Sequence, residues 1–525
     1  MVLQAEYGLR FFGFLQRLLS YLFMPIYWFY ETKPTVRIPS IKNPLLLKSA
    51  TKLAEEIRKQ TIKSEDVVRA YIQRIREINP ILNAVIQDRF DSAIQDAINV
   101  DKFIESKQKT IEDLEKEQPL LGVPVTIKES CGVKGMSQTG GSLHRKGVVA
   151  ENDGTSVSKL RNAGAIILAV TNTPELCLNW ETNNLLFGKT VNPYNINRTP
   201  GGSSGGEGAL MGAGASVIGL GSDVAGSIRI PAMFNGVFGH KPTAKTVSIE
   251  GHYPTSTDEM LHNFLTLGPI TRYAEDLRLM MKVLVCDNTL LPELRLDEKV
   301  DVSKLNVFYK LNAGKSIVQV QVTDEIENIT LQAAKYLKSI GANVSESTIN
   351  MQYTVELGCG NFGAIQNLPD LLQSRENPKE YRNIFIEIGK SLLGLSDISL
   401  SALLFHFLLY VNFFIPRSKT PFYQKELTNM LEEFKDMLKD NGVLLYPTFP
   451  VPAVLHYQLF LKTAGVLYTM IFNTLGMPAT HVTLGFDKSG LPIGCQVVAA
   501  PGHDRLCLAV AEKLEKKFGG WVPPS

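Results

Sequence analysis

The sequence has few cysteines and little net charge. Its six cysteines are scattered, and no Cys-x-x-Cys pair or Cys/His cluster has the spacing of zinc ligands. We therefore expect neither a disulfide framework nor a metal site, and nothing in the sequence calls for a cofactor. The 54 lysines and arginines nearly balance the 52 aspartates and glutamates, which leaves a formal charge of +2. Because nucleic-acid binding needs a concentrated basic face, no nucleic-acid partner is expected.

The N-terminus carries a long apolar run. Residues 11–30 read FFGFLQRLLSYLFMPIYWFY, which is long enough for a helix to cross a hydrocarbon core. Arg17 near its middle would be costly in a bilayer, and Pro25 interrupts its later half. Three interpretations compete: a membrane anchor that spans or lies in the interface, a cleaved signal peptide, and an apolar helix packed on the body. We predict that residues 1–32 are a hydrophobic membrane-anchor segment, single-pass or monotopic on an intracellular membrane.

The remainder, residues 33–525, alternates helical and strand-like segments. Residues 156–163 have helical spacing and lead through a Gly-Ala turn into the apolar strand pattern of residues 166–171. This is the helix-to-strand half of a βαβ unit. Residues 53–78 predict two helices, and residues 84–106 predict a continuing helix. The sequence thus predicts one α/β body around a mixed or mainly parallel sheet.

A second apolar region lies at residues 388–415, where residues 394–397 break the run. One interpretation is a buried core helix. The other is a partly exposed hydrophobic cap that touches a membrane or lines an acyl channel, because large exposed apolar patches mark such sites.

The glycine- and serine-rich stretch at residues 200–231 carries the chemistry. It reads PGGSSGGEGALMGAGASVIGLGSDVAGSIRIP. A flexible linker would not be so apolar. The P-loop pattern is absent because no lysine follows the glycines, and the G-x-S-x-G nucleophile elbow is absent because Ser227 sits in A-G-S-I-R.

This block resembles the signature of the amidase-signature family of serine hydrolases. Similar stretches at residues 153–176, 268–277 and 473–498 extend the resemblance over roughly residues 50–525. The resemblance implies a large twisted mixed β-sheet covered by helices on both faces. It also implies a Ser–cis-Ser–Lys triad, made here of the residues Lys128 at the end of GVPVTIK, Ser203 in GGSSGG and Ser227 before I-R-I-P.

The triad residues have a physical rationale. A serine hydroxyl is a weak nucleophile until a base takes its proton, and His240, the histidine nearest to the block, is better explained as structural. The base is then Lys128, which the site must hold largely neutral by burial. By resemblance, Lys128 takes a proton through the hydroxyl of Ser203 from Ser227, which attacks the amide carbonyl.

Other residues of the site follow from the same resemblance. The oxyanion hole is expected from the backbone N–H groups of Val224, Ala225, Gly226 and Ser227. Glycine is common in the family where this chain has Ala225, which keeps its N–H. Asp223 and Arg229 are expected to orient this loop, and Cys177 is expected to line the substrate site.

Within the family, GGSSGGEG, the N-terminal apolar run and FGGWVPP look most like fatty acid amide hydrolases, especially the second, membrane-anchored type. The partners implied are a lipid amide substrate and a membrane, and a homodimer is one assembly compatible with the sequence. Three alternatives are a hydrolase of small or aryl amides or lipid esters, a tRNA-linked amidotransferase subunit, and an inactive membrane-bound lipid-binding scaffold.

Overall fold

Eleven strands of the described chain form one mixed sheet, and two shorter strands pair beside it. The computed structural model describes residues 7–285, 290–314, 316, 318–373, 377, 379–410 and 415–524. The strands are β1 (Val85–Asp88), β2 (Pro124–Lys128), β3 (Ile166–Thr171), β4 (Asn183–Asn184), β5 (Gly188–Lys189), β6 (Ile218–Asp223), β7 (Phe238–Lys241), β8 (Thr266–Thr271), β9 (Asn306–Tyr309), β10 (Asn343–Glu346), β11 (Gly442–Pro447), β12 (Ala479–Phe486) and β13 (Pro492–Ala499). The strands β4 and β5 form the separate ribbon.

Helices connect most of these strands. They are α1 (Tyr7–Leu22), α2 (Met24–Glu31), α3 (Ala50–Arg58), α4 (Ser64–Leu82), α5 (Phe90–Glu105), α6 (Ile111–Glu117), α7 (Thr155–Asn162), α8 (Gly205–Gly212), α9 (Arg229–Phe234), α10 (Leu261–Phe264), α11 (Ala274–Leu284), α12 (Leu290–Leu294), α13 (Asp324–Ser339), α14 (Thr354–Phe362), α15 (Ile384–Leu392), α16 (Leu400–Tyr410), α17 (Thr420–Leu438), α18 (Leu467–Thr474) and α19 (Asp504–Phe518). The α/β class predicted from the alternating patterns is confirmed.

The order across the sheet is β1-β3-β2-β6-β8-β7-β12-β13-β11-β9-β10. The strand β2 runs parallel to β3 and β6, and β9 runs parallel to β10 and β11, whereas the remaining neighbours pair antiparallel. The sheet is therefore mixed rather than mainly parallel. Every residue of β2, β3 and β6 is buried. Because successive side chains of a strand point to opposite faces, both faces are covered at the centre of the sheet.

The parallel pairing of β2 with β6 positions the site. Ile127 lies opposite Leu220 in this pair, so the two strands end at the same edge of the sheet. Lys128, the last residue of β2, therefore lies beside the end of β6, from which the chain continues to Ser227.

The helix predicted for residues 84–106 is wrong at its start. Asn83 has a left-handed conformation, with φ +51°, and ends α4. The side-chain oxygen of Asn79 then accepts the N–H groups of Ala84 and Val85, each at 2.8 Å. This cap turns the chain into the short edge strand β1, and the helix begins only at Phe90. Two helices within residues 53–78 are confirmed by α3 and α4.

The N-terminal segment forms two helices, α1 and α2, that are separated at Phe23. No helix in the described part of the chain combines the length and apolar character needed to cross a membrane, so the spanning helix predicted for residues 11–30 is not among them. Helix α1 packs on the body through Leu9, Gly13 and Gln16, and the Gln16 side chain donates to the backbone oxygen of Phe460 at 2.8 Å.

The second apolar region also forms two helices, α15 and α16, with the predicted break between them at Gly394, whose φ is +70°. Ala402 and Leu403 are buried, whereas several residues of α15 and the following turn are exposed. Of the two interpretations, the buried core helix is therefore wrong for α15 and the turn after it. Residues 411–414 of the predicted run lie outside the described residues.

Candidate active site

Lys128 is the centre of a buried polar cluster at the edge formed by β2 and β6. Its side chain is fully buried, and its amine nitrogen Nζ lies 2.6 Å from Ser203 Oγ and 2.9 Å from Ser222 Oγ. A hydroxyl 2.6 Å from an amine can exchange a proton with it. The sequence prediction that joined Lys128 to Ser203 is matched by this contact.

The loop before α8 places Ser203, not Ser204, on the lysine. The peptide bond between Gly202 and Ser203 is cis. The backbone oxygen of Ser203 accepts the hydroxyl of Thr173 at 3.0 Å, while Ser204 Oγ points to the backbone oxygen of Ser222 at 3.3 Å. Family resemblance alone distinguished these two serines in the sequence, whereas the contacts distinguish them geometrically.

Ser227 lies on the loop that follows β6. The backbone N–H of Ser204 donates to the backbone oxygen of Ser227 at 3.2 Å, which holds the Ser227 loop against the Ser203 loop. Gly226 has φ +105°, and a Cβ there would lie 2.2 Å from Thr469 Oγ1. Only glycine is tolerated at this position, because both the left-handed conformation and the close approach exclude a side chain.

The predicted oxyanion donors divide into two groups. In the described structure, the N–H groups of Val224, Ala225 and Ser227 have no internal acceptor. The N–H of Gly226 instead donates to Asp223 Oδ1 at 2.6 Å, so it is not the free donor that the sequence predicted. The side chain of Asp223 folds back toward the loop that follows it, and its carboxylate accepts this N–H group.

A buried ion pair supports the nucleophile loop. Arg229 donates to both carboxylate oxygens of Asp223, each at 3.1 Å. Asn473 also donates to Asp223 Oδ1 at 2.9 Å, and Ile228 N–H donates to the other oxygen at 3.1 Å. Burial alone would raise the pKa of Asp223, but Arg229 and these donors hold it well below its usual range. The pair is bonded to the loop rather than directed at the lysine, as the predicted orienting role requires.

Cys177 lies in the same cluster. Leu176 and Cys177 have positive φ angles of +49° and +57°, so the chain turns sharply there. Cys177 Sγ lies 3.3 Å from Thr173 Oγ1. Burial would raise the pKa of Cys177, but the neighbouring side chains of Lys128, His252 and Thr173 together lower it to about 6. The thiol is therefore close enough to Lys128 for the two groups to interact electrostatically, and its place beside the substrate stays a prediction.

Sequence reasoning missed Ser222 and His252. His252 Nε2 lies 3.0 Å from Ser222 Oγ, and His252 Nδ1 lies 2.8 Å from the backbone oxygen of Pro254. Ser222 belongs to the signature block, but nothing in its spacing indicates a contact with Lys128. His252 comes 25 residues after Ser227, and no motif marks it. His240, in contrast, contacts Thr480 and Asp504 away from the cluster, as predicted.

The buried carboxyl group of Glu207 lies near Lys128. Glu207 accepts the hydroxyl groups of Thr126 at 2.6 Å and Thr171 at 2.8 Å. Burial raises the pKa of Glu207 to about 7, although the hydrogen bonds from the two threonine hydroxyls oppose that rise. In the described residues, no group of three or more histidine, cysteine, aspartate or glutamate side chains is placed to hold a metal ion. The chemistry that this cluster supports is proton transfer between hydroxyl groups and a buried amine.

Comparison with known proteins agrees with this geometry. A family model described as Amidase matches residues 66–508. The chain is 41% identical over 500 residues to fatty-acid amide hydrolase 2-A of Danio rerio. This alignment covers 93% of this chain and 92% of that protein. It is 38% identical to fatty-acid amide hydrolase 2 of Homo sapiens, covering 92% and 91% of the two chains. A solved bacterial aryl acylamidase of the amidase-signature family superimposes with a TM-score of 0.70 at 23% identity, covering 90% of this chain and 97% of that one.

Proposed function

Because this chain belongs to the amidase family and is an amide-hydrolysing enzyme, we propose that it cleaves long-chain fatty acid amides into fatty acid and amine. Ser227 is the nucleophile, Ser203 the bridge and Lys128 the base. The observation that carries the mechanism is the buried Lys128 amine 2.6 Å from the Ser203 hydroxyl, on the loop that contacts Ser227. The similarity to the two fatty-acid amide hydrolases supports the substrate class.

In the first half of the reaction, neutral Lys128 accepts the proton of the Ser203 hydroxyl while Ser203 accepts that of Ser227. Ser227 Oγ then forms a bond to the amide carbonyl carbon, and the carbonyl oxygen takes the electron pair as an oxyanion. The free N–H groups of Val224 and Ala225 lie on the loop beside this carbon and are the proposed donors to the oxyanion.

In the second half, the proton returns from Lys128 through Ser203 to the amide nitrogen. The C–N bond breaks, the neutral amine leaves, and the acyl group stays on Ser227. Water then adds to the acyl carbon with the same pair as base, which releases the fatty acid. An amine is a poor leaving group, so its protonation by Lys128 and Ser203 is the step that suits the site to amides.

Apolar side chains lie directly behind the nucleophile loop. Trp180 Nε1 donates to the backbone oxygen of Ala225 at 3.2 Å, and the Trp180 ring contacts Phe405 of α16 with centroids 5.0 Å apart. A small cleft beside this pair has one side formed by Leu404, Leu459 and Phe460, and polar side chains line the rest of it: Asn179, Glu181, Ser401, Tyr457 and Thr463. We propose that the acyl chain of the substrate follows these walls from the nucleophile toward α16.

The acyl-chain walls predict a steep dependence on chain length. Each added methylene that enters the cleft should raise kcat/KM by about fourfold, since burying one CH₂ is worth about 0.8 kcal/mol. The measurement is kcat/KM for N-acylethanolamines and primary amides of increasing chain length, each below its micelle concentration. Phe405→Ala should flatten the series, whereas Phe486→Ala, on a strand outside the cleft, should leave it unchanged. A preference for acetamide or for aryl amides would favour the alternative small-amide hydrolase.

Aromatic contacts connect α1 to α15 through α16, and we group the exposed apolar residues of α1, α2, α15 and the turn after α15 as one apolar surface. Phe12 of α1 contacts Phe407 of α16 with ring centroids 6.4 Å apart, and Phe407 contacts Phe385 of α15 at 6.1 Å. The exposed members of this apolar surface are Phe11, Phe14, Leu18, Leu22, Ile26, Trp28, Phe29, Phe385, Ile386, Leu392, Leu393 and Leu395. We propose that it lies in the interface of a membrane, from which the substrate enters.

The apolar surface predicts binding to lipid vesicles that depends on its leucines. Leu392→Ser, Leu393→Ser and Leu395→Ser should each weaken partition onto phosphatidylcholine vesicles on the order of tenfold if the side chain enters the acyl layer. Co-sedimentation of the full chain with such vesicles measures this. Leu47→Ser and Ile111→Ser alter exposed apolar residues outside the surface and serve as matched controls. If the leucine and control variants bind equally well, the proposed membrane contact is wrong.

A further inference from the structure

One hydrogen bond fixes the tautomer of neutral His252. This histidine is buried, and its Nδ1 lies 2.8 Å from the backbone oxygen of Pro254. A carbonyl oxygen only accepts hydrogen bonds, so Nδ1 must carry the hydrogen. In a neutral imidazole the other nitrogen, Nε2, is then an acceptor.

This tautomer determines the direction of the next two hydrogen bonds. Ser222 Oγ lies 3.0 Å from His252 Nε2, so the single hydroxyl hydrogen of Ser222 points to the histidine. Lys128 Nζ lies 2.9 Å from the same oxygen. Because the hydrogen of Ser222 is already used, Ser222 can only accept an N–H from Lys128.

The remaining neighbour of the imidazole does not compete for Nε2. The side chain of Cys177 also lies near His252. As a thiol it donates to Thr173 Oγ1 at 3.3 Å, because the hydroxyl hydrogen of Thr173 is directed to the backbone oxygen of Ser203, and as a thiolate it has no hydrogen to donate to Nε2. The acceptor position of His252 is thus left to Ser222.

These hydrogen bonds determine which hydroxyl group can donate to the lone pair of Lys128. A neutral amine has two N–H groups and one lone pair, and one N–H is directed at Ser222. We infer that His252, acting through Ser222, is a positioning residue that reserves the lone pair of Lys128 for the hydroxyl of Ser203. Without His252, the hydroxyl of Ser222 is free to turn and donate to that lone pair, where it competes with Ser203. This inference rests on the proposed roles of Lys128 and Ser203.

The inference predicts that His252→Ala lowers kcat and that His252→Gln largely preserves it. His252→Ala should lower kcat for a long-chain amide about tenfold with KM unchanged, which is the value of roughly one misplaced hydrogen bond. Gln can place its side-chain oxygen where Nε2 lies, so His252→Gln should stay within about threefold of wild type. His252→Asn is too short to reach Ser222 and should behave as the alanine variant does. His262, exposed on α10, supplies the control substitutions His262→Gln and His262→Ala, for which kcat is unchanged.

A double-mutant cycle separates this relay from a merely structural role. In a Ser222→Ala background the competing hydroxyl is gone, so His252→Ala should lower kcat no further, within about twofold. Additive losses would overturn the inference, as would equal activity of the glutamine and asparagine variants.

The same double-mutant cycle can be measured without any amide substrate. The measured quantity is then the rate at which a fluorophosphonate probe labels Ser227 in each variant. If the wild type is labelled but hydrolyses none of the long-chain amides, the proposed substrate is wrong, while the labelling rates still test His252. If Ser227→Ala is labelled as fast as the wild type, the proposed nucleophile is wrong and the inference falls with it.

Discussion

Ser227→Ala should abolish hydrolysis of every amide substrate, with kcat reduced on the order of 10⁴-fold or more, as for loss of the nucleophile in other serine hydrolases. The reason is chemical: no other hydroxyl lies on the loop that bears the free N–H groups of Val224 and Ala225. Substrate binding should persist, because the apolar walls are untouched. Steady-state kinetics with a long-chain amide and labelling by a fluorophosphonate probe both depend on the Ser227 hydroxyl, and both signals should be lost together.

Two further serine substitutions make this result specific. Ser203→Ala should also lower kcat by several orders of magnitude, because it removes the hydroxyl that lies 2.6 Å from the Lys128 amine. Ser204→Ala, one residue away, removes only a 3.3 Å contact with the backbone of Ser222 and should cost far less. Ser489→Ala, exposed between β12 and β13, controls for the substitution itself. Comparable losses in the Ser203 and Ser204 variants would show that the bridge is misassigned.

Much of the site could be predicted because its residues lie next to each other in sequence or at strand ends. Lys128 ends a short β-branched run, and the glycines around Ser203 and Gly226 report close approach of backbone. The parallel β2–β6 pair brings Lys128 beside the end of β6, whereas the contact of Lys128 with Ser203, on the loop before α8, was expected from the family resemblance. The predicted strand at residues 166–171 is confirmed residue for residue by β3.

The parts that could not be predicted depend on distant contacts. His252 reaches Ser222 only because the chain after β7 folds back beside the residues that follow β2. There the backbones of Cys131 and His252 form an isolated antiparallel β-bridge. The strand β1 is too short to show a period and depends on a cap from Asn79. Gly226 looked like an oxyanion donor because sequence cannot show that the Asp223 carboxylate takes its N–H. In each case a tertiary partner, rather than local propensity, decides the outcome.

Lys128→Met should separate amide from ester hydrolysis. Methionine fills nearly the same volume in the buried site but cannot accept a proton, so amide hydrolysis should fall on the order of 10³- to 10⁴-fold, near the upper range of general acid–base catalysis. An ester of the same acyl chain should lose clearly less, since an alkoxide leaves with weaker proton assistance than an amine. The measurement is kcat/KM for a matched amide and ester pair, and the expected result is a large shift of their ratio toward the ester.

The chain supplies a second buried lysine as the control for this experiment. Lys241 is also buried, with its amine donating to the backbone oxygen of Pro242 at 2.7 Å, and burial lowers its pKa to about 7. Lys241→Met should lower thermal stability at most and leave the amide-to-ester ratio unchanged, because this amine touches no residue of the triad. If Lys128→Met keeps that ratio as well, Lys128 is not the base, and His252 becomes the group to test, since it is the other proton acceptor bonded to Ser222. A ratio that shifts only in the Lys128 variant identifies the buried amine as the group that delivers the proton to the leaving nitrogen.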